Sequence, residues 1–498
     1  MHKPALFSTA ALMMTAVAHP ALADLSAAEA WAEWKSFASY TGQSLTADSE
    51  LASGDTLTVS GITIGSTSPD VEVVGRIARI EFRERGDGTV AVNISPEIPI
   101  EVTGENPEGD TVTTKLNIAL GGGGMVISGS PGSLSHDYQF DRMAMDIVEL
   151  TENGRPVDID MSLALQPVSG VYGVAGNAAV IRNDSNIGAL AFRLDASIPE
   201  EDADFEMTMT MTDIVSESTG TISSFDTQQN LAVALRNGQF TEGTLSHGPA
   251  TFSIDTLMPE GRSVVTARAA SGTMSGGLNR DGVNYESSNS DVELSLVVPG
   301  AMIPPIELSV DRMSGALKMP LVADDDAKPL GFSTRLEGVT ASDTVWSMID
   351  PMKGLPRTPA TLIVELSGMG RWLVDVMDPE AIAALEDRPD APGEIETVTL
   401  DNLTLSVAGA ELTGTGQFAF DNATVPPVPS GVIDLNMTGA NALIDGLVNI
   451  GLIPEDQAMG ARMMLGLFAR PGSGPDNLTS KIELGRDGSV TANGQRIK

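Results

Sequence analysis

Cysteine is absent from the 498 residues of this sequence, and aromatic residues make up only 4% of it. Without cysteine, the chain has no disulfide bond, no thiolate nucleophile and no cysteine-ligated metal site. A chain of this length can still bury a sizeable core without cross-links. Hydrophobic residues account for 42% of the sequence, which is typical of a globular protein rather than a disordered one.

Basic residues are also scarce. The chain has 29 Lys and Arg residues against 67 Asp and Glu residues, for a net charge of -38, and no run of basic residues. Nucleic acids and anionic lipid headgroups are bound through clusters of Lys and Arg, so this chain repels both. The sequence therefore predicts no nucleic-acid partner, and the simplest interpretation of the acidity is solubility.

The usual motifs of hydrolases and metalloenzymes are missing. Only His136 and His247 follow the amino-terminal leader, and there is no G-x-S-x-G, S-x-x-K or H-E-x-x-H motif. A glycine run at 121–124 lacks the Lys and the spacing of a phosphate loop, and it predicts a turn or bulge. Asp158 and Asp160 share one face of a predicted strand, where a carboxylate pair would suit glycoside hydrolysis, but such pairs arise by chance in an acidic chain. We expect no catalytic residue, no cofactor and no metal site.

Residues 1–23 have the features of a secretory signal peptide. A short basic start precedes an apolar run over residues 5–18, and Ala21 and Ala23 then form the small-x-small pattern that a signal peptidase recognises. The run is shorter than the ~20 apolar residues that span a bilayer. We expect cleavage between Ala23 and Asp24, a mature chain without a transmembrane segment, and a periplasmic location.

Alternation of apolar and polar residues is the dominant pattern after the leader. It is clearest in V-D-I-D-M-S-L-A-L at 157–165 and in F-E-M-T-M-T-M-T at 205–212. Successive side chains of a strand point to opposite faces, so each segment predicts a half-buried strand. Dipeptides such as Asn153-Gly154 and Asn237-Gly238 predict tight hairpin turns. The predicted fold is mainly β, a β-rich α+β protein with large antiparallel sheets, and its strand content is at least about twice its helix content.

Helices are expected near both ends of the mature chain. Ser26 and Glu29 have the spacing of a capping box, and Trp31 and Trp34 lie on one face of the helix that follows. We expect this helix to pack across the sheet as a plug or lid. Helical spacing over residues 440–470 predicts a helical hairpin, which is followed by a final β-hairpin.

An Asp-rich tract that ends in proline, at residues 324–329, is the best candidate for an internal boundary. The strand pattern is nearly continuous before it and mixed with helical segments after it. The predicted organisation is therefore a signal peptide at 1–23, a β-rich region at 24–323 and a mixed β/α region at 330–498.

Three sequence blocks carry a resemblance to a known family. They are A-D-L-S-A-A-E-A-W-A-E-W at 23–34, M-I-D-P-M-K-G-L-P-R-T-P-A-T-L at 348–362 and L-I-P-E-D-Q-A-M-G-A-R-M-M-L-G-L-F-A-R-P-G at 452–472. Over the whole mature chain, the sequence resembles an alphaproteobacterial periplasmic family known as domain of unknown function 2125. That family implies no activity, ligand or catalytic residue. The ending D-G-S-V-T-A-N-G-Q also resembles the last hairpin of AsmA-like envelope proteins, some of which handle lipid.

Methionine is frequent, with 23 residues in the chain, and Met207, Met209 and Met211 share the apolar phase of one predicted strand. A flexible, polarizable side chain suits a face that adapts to an acyl chain or to a variable partner, although methionine also fills ordinary cores. We therefore expect a non-catalytic envelope protein that binds an apolar ligand such as a lipid, or an envelope protein partner, with these methionines as an apolar contact face. The alternatives are a structural or scaffolding envelope component and, with less support, a carboxylate-based enzyme.

Overall fold

A computed structural model describes residues 24–67, 71–175, 180–198, 202–221, 231–300, 303–383, 391–424 and 426–498. The leader, with Ala21 and Ala23 of the expected cleavage site, lies outside these residues, and Asp24 is the first of them. Strands make up 65% of the structure and helices 12%. The predicted mainly β fold is therefore confirmed, with strands well above twice the helix content.

The 26 strands of the described residues form one sheet, and neighbouring strands are antiparallel throughout. Their bounds are β1 (Ser44–Ser53), β2 (Thr56–Thr67), β3 (Val71–Glu84), β4 (Val90–Ile94), β5 (Glu97–Glu105), β6 (Thr111–Ser130), β7 (Ser133–Glu152), β8 (Arg155–Pro156), β9 (Ile159–Ala175), β10 (Val180–Ile198), β11 (Ala203–Thr221), β12 (Thr241–His247), β13 (Ala250–Met258), β14 (Gly261–Ala269), β15 (Ser271–Asn279), β16 (Gly282–Val297), β17 (Ile306–Met319), β18 (Lys328–Ala341), β19 (Ala360–Trp372), β20 (Gly393–Val407), β21 (Ala410–Asp421), β22 (Val428–Thr438), β23 (Arg470–Pro471), β24 (Asn477–Leu484), β25 (Val490–Ala492) and β26 (Gln495–Arg496).

Strand order in the sheet follows the order of the chain. Where two short strands replace one long one, they lie end to end: β4 and β5 both pair with β3 and β6, and β12 and β13 both pair with β11. The acidic tract at 324–329 lies where β17 joins β18, and those two strands pair with each other. The sheet therefore continues across this tract, and the division into regions 24–323 and 330–498 stays a prediction.

Six helices flank the sheet in the described residues: α1 (Ala27–Tyr40), α2 (Leu231–Arg236), α3 (Asp343–Ile349), α4 (Pro379–Ala383), α5 (Ala440–Asn449) and α6 (Glu455–Phe468). None of them combines the length and the hydrophobicity that a bilayer-crossing helix needs. The capping box of α1 is formed as predicted, with the Glu29 backbone N–H donating to the Ser26 hydroxyl at 3.2 Å and the Ser26 backbone N–H donating to Glu29 Oε2 at 2.9 Å. The predicted helical hairpin is present as α5 and α6.

The turn predicted at Asn237-Gly238 is wrong. These two residues form the turn that directly follows α2 and not a hairpin, because the backbone N–H of Asn237 bonds to the Val233 carbonyl and that of Gly238 bonds to the Leu235 carbonyl. Gly238 has a φ of 92° there, and a glycine of positive φ commonly ends a helix. The dipeptide signal alone does not distinguish the two.

A transverse line of irregular positions, which we call the crease, crosses the sheet from β1 to β18. Along it one or two residue pairs drop out of most ladders, as between β10 and β11, where pairing stops at Ile187 and resumes at Ala189. At the crease, the alternation of side chains between the two faces of the sheet shifts by one residue. Five strands carry a residue of positive φ at the crease: Gly61, Gly122, Asp213, Asp291 and Gly338.

Glycine is required at several crease positions by the strand beside it. A Cβ atom added to Gly122 would lie 2.1 Å from Asp141 Oδ2, and Gly61 and Gly338 face Asp48 and Asp311 at the same distance. The glycine run at 121–124, expected to form a turn or bulge, thus supplies the crease of β6.

Candidate functional site

Helix α1 covers the first strands of the sheet, as the sequence predicts. Trp31 is 2% exposed, and its ring centroid lies 5.9 Å from that of Phe82 in β3. Its indole N–H donates to Glu50 Oε1 at 2.8 Å, and Lys35 Nζ reaches the same oxygen at 3.0 Å. The pKa of the Glu50 carboxyl is lowered, mainly by the hydrogen bond from Trp31. These contacts fix one end of α1 on the sheet.

Trp34 joins α1 to a more distant strand. Its ring meets Phe82 edge-on, with centroids 5.2 Å apart, and its indole N–H donates to Nε2 of His136 in β7 at 3.1 Å. His136 Nδ1 lies 3.3 Å from the Tyr172 carbonyl oxygen. Accepting at Nε2 and donating at Nδ1 makes this imidazole the neutral Nδ1–H tautomer.

A cavity of about 1020 Å³ lies between α1 and the sheet. Its walls come from β1, β2, β3, β6, β7, β9 and β10, and most of the lining is aliphatic or aromatic. The apolar lining residues are Trp31, Trp34, Phe37, Ala38, Leu45, Ile62, Ile64, Ile77, Ile80, Met125, Leu134, Phe140, Met143, Leu165, Val168, Val174 and Ile187.

The crease is what keeps the cavity walls apolar along whole strands. Leu165 and Val168 both line the cavity, although residues three apart in a regular strand point to opposite faces. The pair between Pro167 and Gly188 drops out of the ladder at this point, and the alternation shifts by one. Both halves of β9 therefore present apolar side chains to the same side.

On the sheet side of the cavity, most polar side chains lie in two neighbouring rows. The other polar lining residues are Glu33, Ser36, Tyr40, Gln43 and Ser133. Tyr138 is level with Gly170 and Ser185, and His136 is level with Tyr172 and Asn183. The Tyr138 hydroxyl donates to Asn183 Oδ1 at 3.4 Å. Tyr138, Asn183 and Ser185 form what we call the polar cluster.

Burial favours the uncharged form of each titrating group in these rows. It lowers the pKa of His136, and it raises the pKa of both Tyr138 and Tyr172. The described residues that line the cavity include no Lys, Arg or Asp, and the one carboxylate among them is that of Glu33 on α1. The strands that line the cavity thus offer hydrogen bonds without a charged side chain.

Beyond the cavity, the apolar face continues across the sheet as a row of directly paired residues, which we call the apolar row. It has one residue from each of eleven strands, each partly exposed, and neighbouring strands lie about 4.8 Å apart, so it is about 48 Å long. Its members are Ile98, Ile118, Met145, Leu163, Phe192, Met209, Phe252, Ala267, Leu294, Leu308 and Ala341.

The methionines singled out in the sequence lie on this face and outside the cavity lining. Met209 belongs to the apolar row, and Met207 and Met211 flank it on β11, all three half-buried. Met211 is paired with Leu190, which is paired with the cavity residue Leu165. The three methionines are thus continuous with the cavity wall, and their role as a contact face stays a prediction.

The other candidates from the sequence form no site. Asp158 and Asp160 are both exposed, and Asp158 lies just before the start of β9. Within the described ranges no three His, Asp or Glu side chains are grouped so that they could hold a metal ion. His247 bonds through Nδ1 to the Gly248 carbonyl oxygen at 2.7 Å. The polar cluster is what the sequence did not reveal, because its residues come from separate strands.

Comparison with known proteins gives one match. A family model described as "Uncharacterized protein conserved in bacteria (DUF2125)" matches residues 239–497, just over half of the chain. The blocks at 348–362 and 452–472 lie inside the match, whereas the block at 23–34 and all of the cavity lie before it. No curated protein and no solved structure matches the chain.

Proposed function

We propose a function from the premise that this chain belongs to the family of uncharacterized bacterial proteins DUF2125, which brings no activity with it. The chain is an exported, non-catalytic envelope protein that binds an apolar ligand in the cavity beneath α1. The observation that carries the proposal is the cavity itself, whose lining is mainly apolar.

The size and chemistry of the cavity fit a ligand site. Small-molecule sites measure about 300–1,000 Å³ and combine apolar walls with a few placed polar groups. This cavity, at about 1020 Å³, is at the upper end of that range and has one polar cluster. A site of this kind suits an organic molecule with a large hydrocarbon part.

The apolar row supports a ligand that contains an extended chain. Its eleven residues remain partly exposed. Extended apolar patches on a protein surface usually mark a site of ligand or partner binding. An acyl chain crosses half of a hydrocarbon layer of ~30 Å. The row is long enough to accept such a chain where it leaves the cavity.

Export is the second part of the proposal, and the leader at residues 1–23 supports it. A cleaved signal peptide would place the protein in the periplasm, between two membranes that supply apolar molecules. The high net negative charge would keep a protein with a partly open apolar face soluble there.

The proposal is tested by recovering the ligand and then blocking its site. Protein purified gently from the periplasm should release an apolar compound into organic solvent in near-stoichiometric amount, and the stripped protein should bind the apolar dye N-phenyl-1-naphthylamine. Ile187→Glu places a carboxylate in the cavity wall, and Asn186→Glu places the same charge on the exposed neighbour.

We expect Ile187→Glu to weaken dye binding at least about tenfold, because an unpaired charge in an apolar cavity is costly, and Asn186→Glu to leave it unchanged. Circular dichroism checks that both variants fold. A wild-type protein that yields no apolar compound and does not bind the dye would contradict the proposal and favour the scaffold alternative.

A further inference from the structure

We propose that the cavity is selective for an uncharged amphiphile, whose hydroxyl, carbonyl or amide head group bonds to the polar cluster. This inference rests on the proposed function and names the class of its ligand. It is carried by the position of Tyr138, Asn183 and Ser185 and by the absence of cations from the described cavity lining.

The Tyr138 side chain occupies space that is free because residue 170 is a glycine. Gly170 of β9 pairs with Tyr138 on one side and with Ser185 on the other. A Cβ atom at Gly170 would lie 2.5 Å from the Tyr138 hydroxyl oxygen, so the tyrosine occupies the space above β9. It thereby reaches β10, where its hydroxyl bonds to Asn183.

The polar cluster has further hydrogen-bond donors and acceptors that a ligand can use. Asn183 accepts from Tyr138 through Oδ1, and its amide also carries two N–H donors. The Ser185 hydroxyl lies 2.9 Å from the Ser216 hydroxyl, and a hydroxyl has two acceptor lone pairs besides its donor. A small head group with one oxygen or one amide can therefore both donate and accept here.

Apolar side chains border the polar cluster on both sides along the strands. Leu134 and Val174 line the cavity toward one end, and Phe140, Val168 and Ile187 line it toward the crease. The hydrocarbon part of a ligand would contact these residues while its head group remains at the cluster. This division into a polar spot and apolar walls matches an amphiphile with one small polar end.

Charge decides which head groups the cluster accepts. Within the described lining, no Lys or Arg is present to pair with a phosphate or carboxylate, and an unpaired buried charge is strongly disfavoured. Burial also keeps Tyr138, Tyr172 and His136 in their neutral forms. Glu33, the one carboxylate, is on the opposite wall in α1 and not in the cluster.

The test compares four ligands that share one C18 chain and differ in the head group. Oleyl alcohol, oleamide, oleate and oleylamine are each used to displace N-phenyl-1-naphthylamine from the stripped mature protein at pH 8. We expect the alcohol and the amide to displace the dye at concentrations at least about tenfold lower than oleate, because only oleate brings an unpaired anion into the cavity. Oleylamine, which is cationic, should also bind more weakly than the alcohol, because the polar cluster contains no carboxylate to pair with it.

Tyr138→Phe tests the cluster with little risk to folding, because it removes only the hydroxyl. We expect affinity for oleyl alcohol and oleamide to fall about 2- to 10-fold more than affinity for the dye, the effect of one hydrogen bond. Tyr285→Phe in β16, outside the cavity, is the control and should change neither. Asn183→Lys adds a cation to the cluster and should strengthen oleate binding.

The outcomes separate this inference from the proposed function. Dye and C18 ligands that all fail to bind would overturn the proposed function and with it the inference. Dye binding with oleate or oleylamine as tight as the alcohol, or a Tyr138→Phe variant identical to wild type, would overturn the inference and leave the proposed function standing.

Discussion

The crease makes a quantitative prediction about Gly122. We replace it by alanine and compare the result with Gly54→Ala in the β1–β2 turn. Both glycines have positive φ, 52° and 62°, so both substitutions incur the same backbone strain. A Cβ atom at Gly54 meets nothing within 4 Å, whereas one at Gly122 would lie 2.1 Å from Asp141 Oδ2. The difference between the two variants therefore isolates the contact across the crease.

The expected magnitudes follow from these two terms. A left-handed conformation costs an L-residue about 1–2 kcal/mol, and the entropy gained by removing a glycine from the unfolded chain applies equally to both variants. Moving the exposed Asp141 side chain out of its rotamer costs about 0.5–1.5 kcal/mol. Gly122→Ala should therefore lower the free energy of unfolding by about 0.5–1.5 kcal/mol more than Gly54→Ala.

Asp141→Ala supplies the second half of a double-mutant cycle, because it removes the atoms nearest to the added methyl group. In that background the excess cost of Gly122→Ala should fall below about 0.5 kcal/mol, the usual limit of additivity. Urea unfolding followed by tryptophan fluorescence is a suitable assay, since Trp31 and Trp34 pack on this part of the sheet. Equal costs for the two glycine variants, or a cycle with no coupling, would refute the account of the crease.

Three further predictions concern the leader, the buried histidine and the methionines. Mass spectrometry of the exported protein should give a chain that begins at Asp24, and a species that retains the leader would contradict this. Because folding lowers the pKa of His136, its contribution to stability is present above its ordinary pKa of about 6.5 and is lost as the pH falls below that value, by up to about 1.4 kcal/mol per pH unit. His136→Gln should flatten stability between about pH 7.5 and pH 5.5, and equal slopes for wild type and variant would count against a buried neutral imidazole. Changing Met207, Met209 and Met211 together to Leu should weaken retention of the co-purified apolar compound more than it lowers the melting temperature, at no more than ~1.5 kcal/mol per site, whereas full retention would remove these side chains from the contact face.

Local sequence patterns were sufficient to predict the strands and helix α1. Alternation over 157–165 is a property of one strand, and the capping box at Ser26 and Glu29 is a property of one helix turn, so neither depends on distant residues. The crease could not be predicted in this way. In the sequence, a shift in the alternation of apolar and polar residues within one strand cannot be told from the end of that strand. The interruption between Leu165 and Val168 becomes a continuation only once the partner strands are known.

One part of the candidate site could be predicted from the sequence and another part could not. The aromatic face of α1 was visible as a periodic pattern, and its packing across the sheet followed from that. The polar cluster was not visible, since Tyr138 and Asn183 come from β7 and β10 and meet only because Gly170 in β9 leaves room between them. A tyrosine, a glycine and an asparagine that are far apart in sequence carry no signal of their own.

Contact between a ligand chain and α1 is the most direct test for a ligand site beneath this helix. Replacing Trp346 and Trp372 by Phe leaves the two tryptophans of α1 as the sole fluorophores of that type among the four in the chain. A brominated C18 alcohol quenches only the tryptophans that it touches. The account predicts saturable quenching with about one ligand per chain, abolished by Ile187→Glu and retained in Asn186→Glu. Absence of quenching in the folded protein that retains only Trp31 and Trp34, or quenching that Ile187→Glu leaves intact, would contradict a ligand site beneath α1.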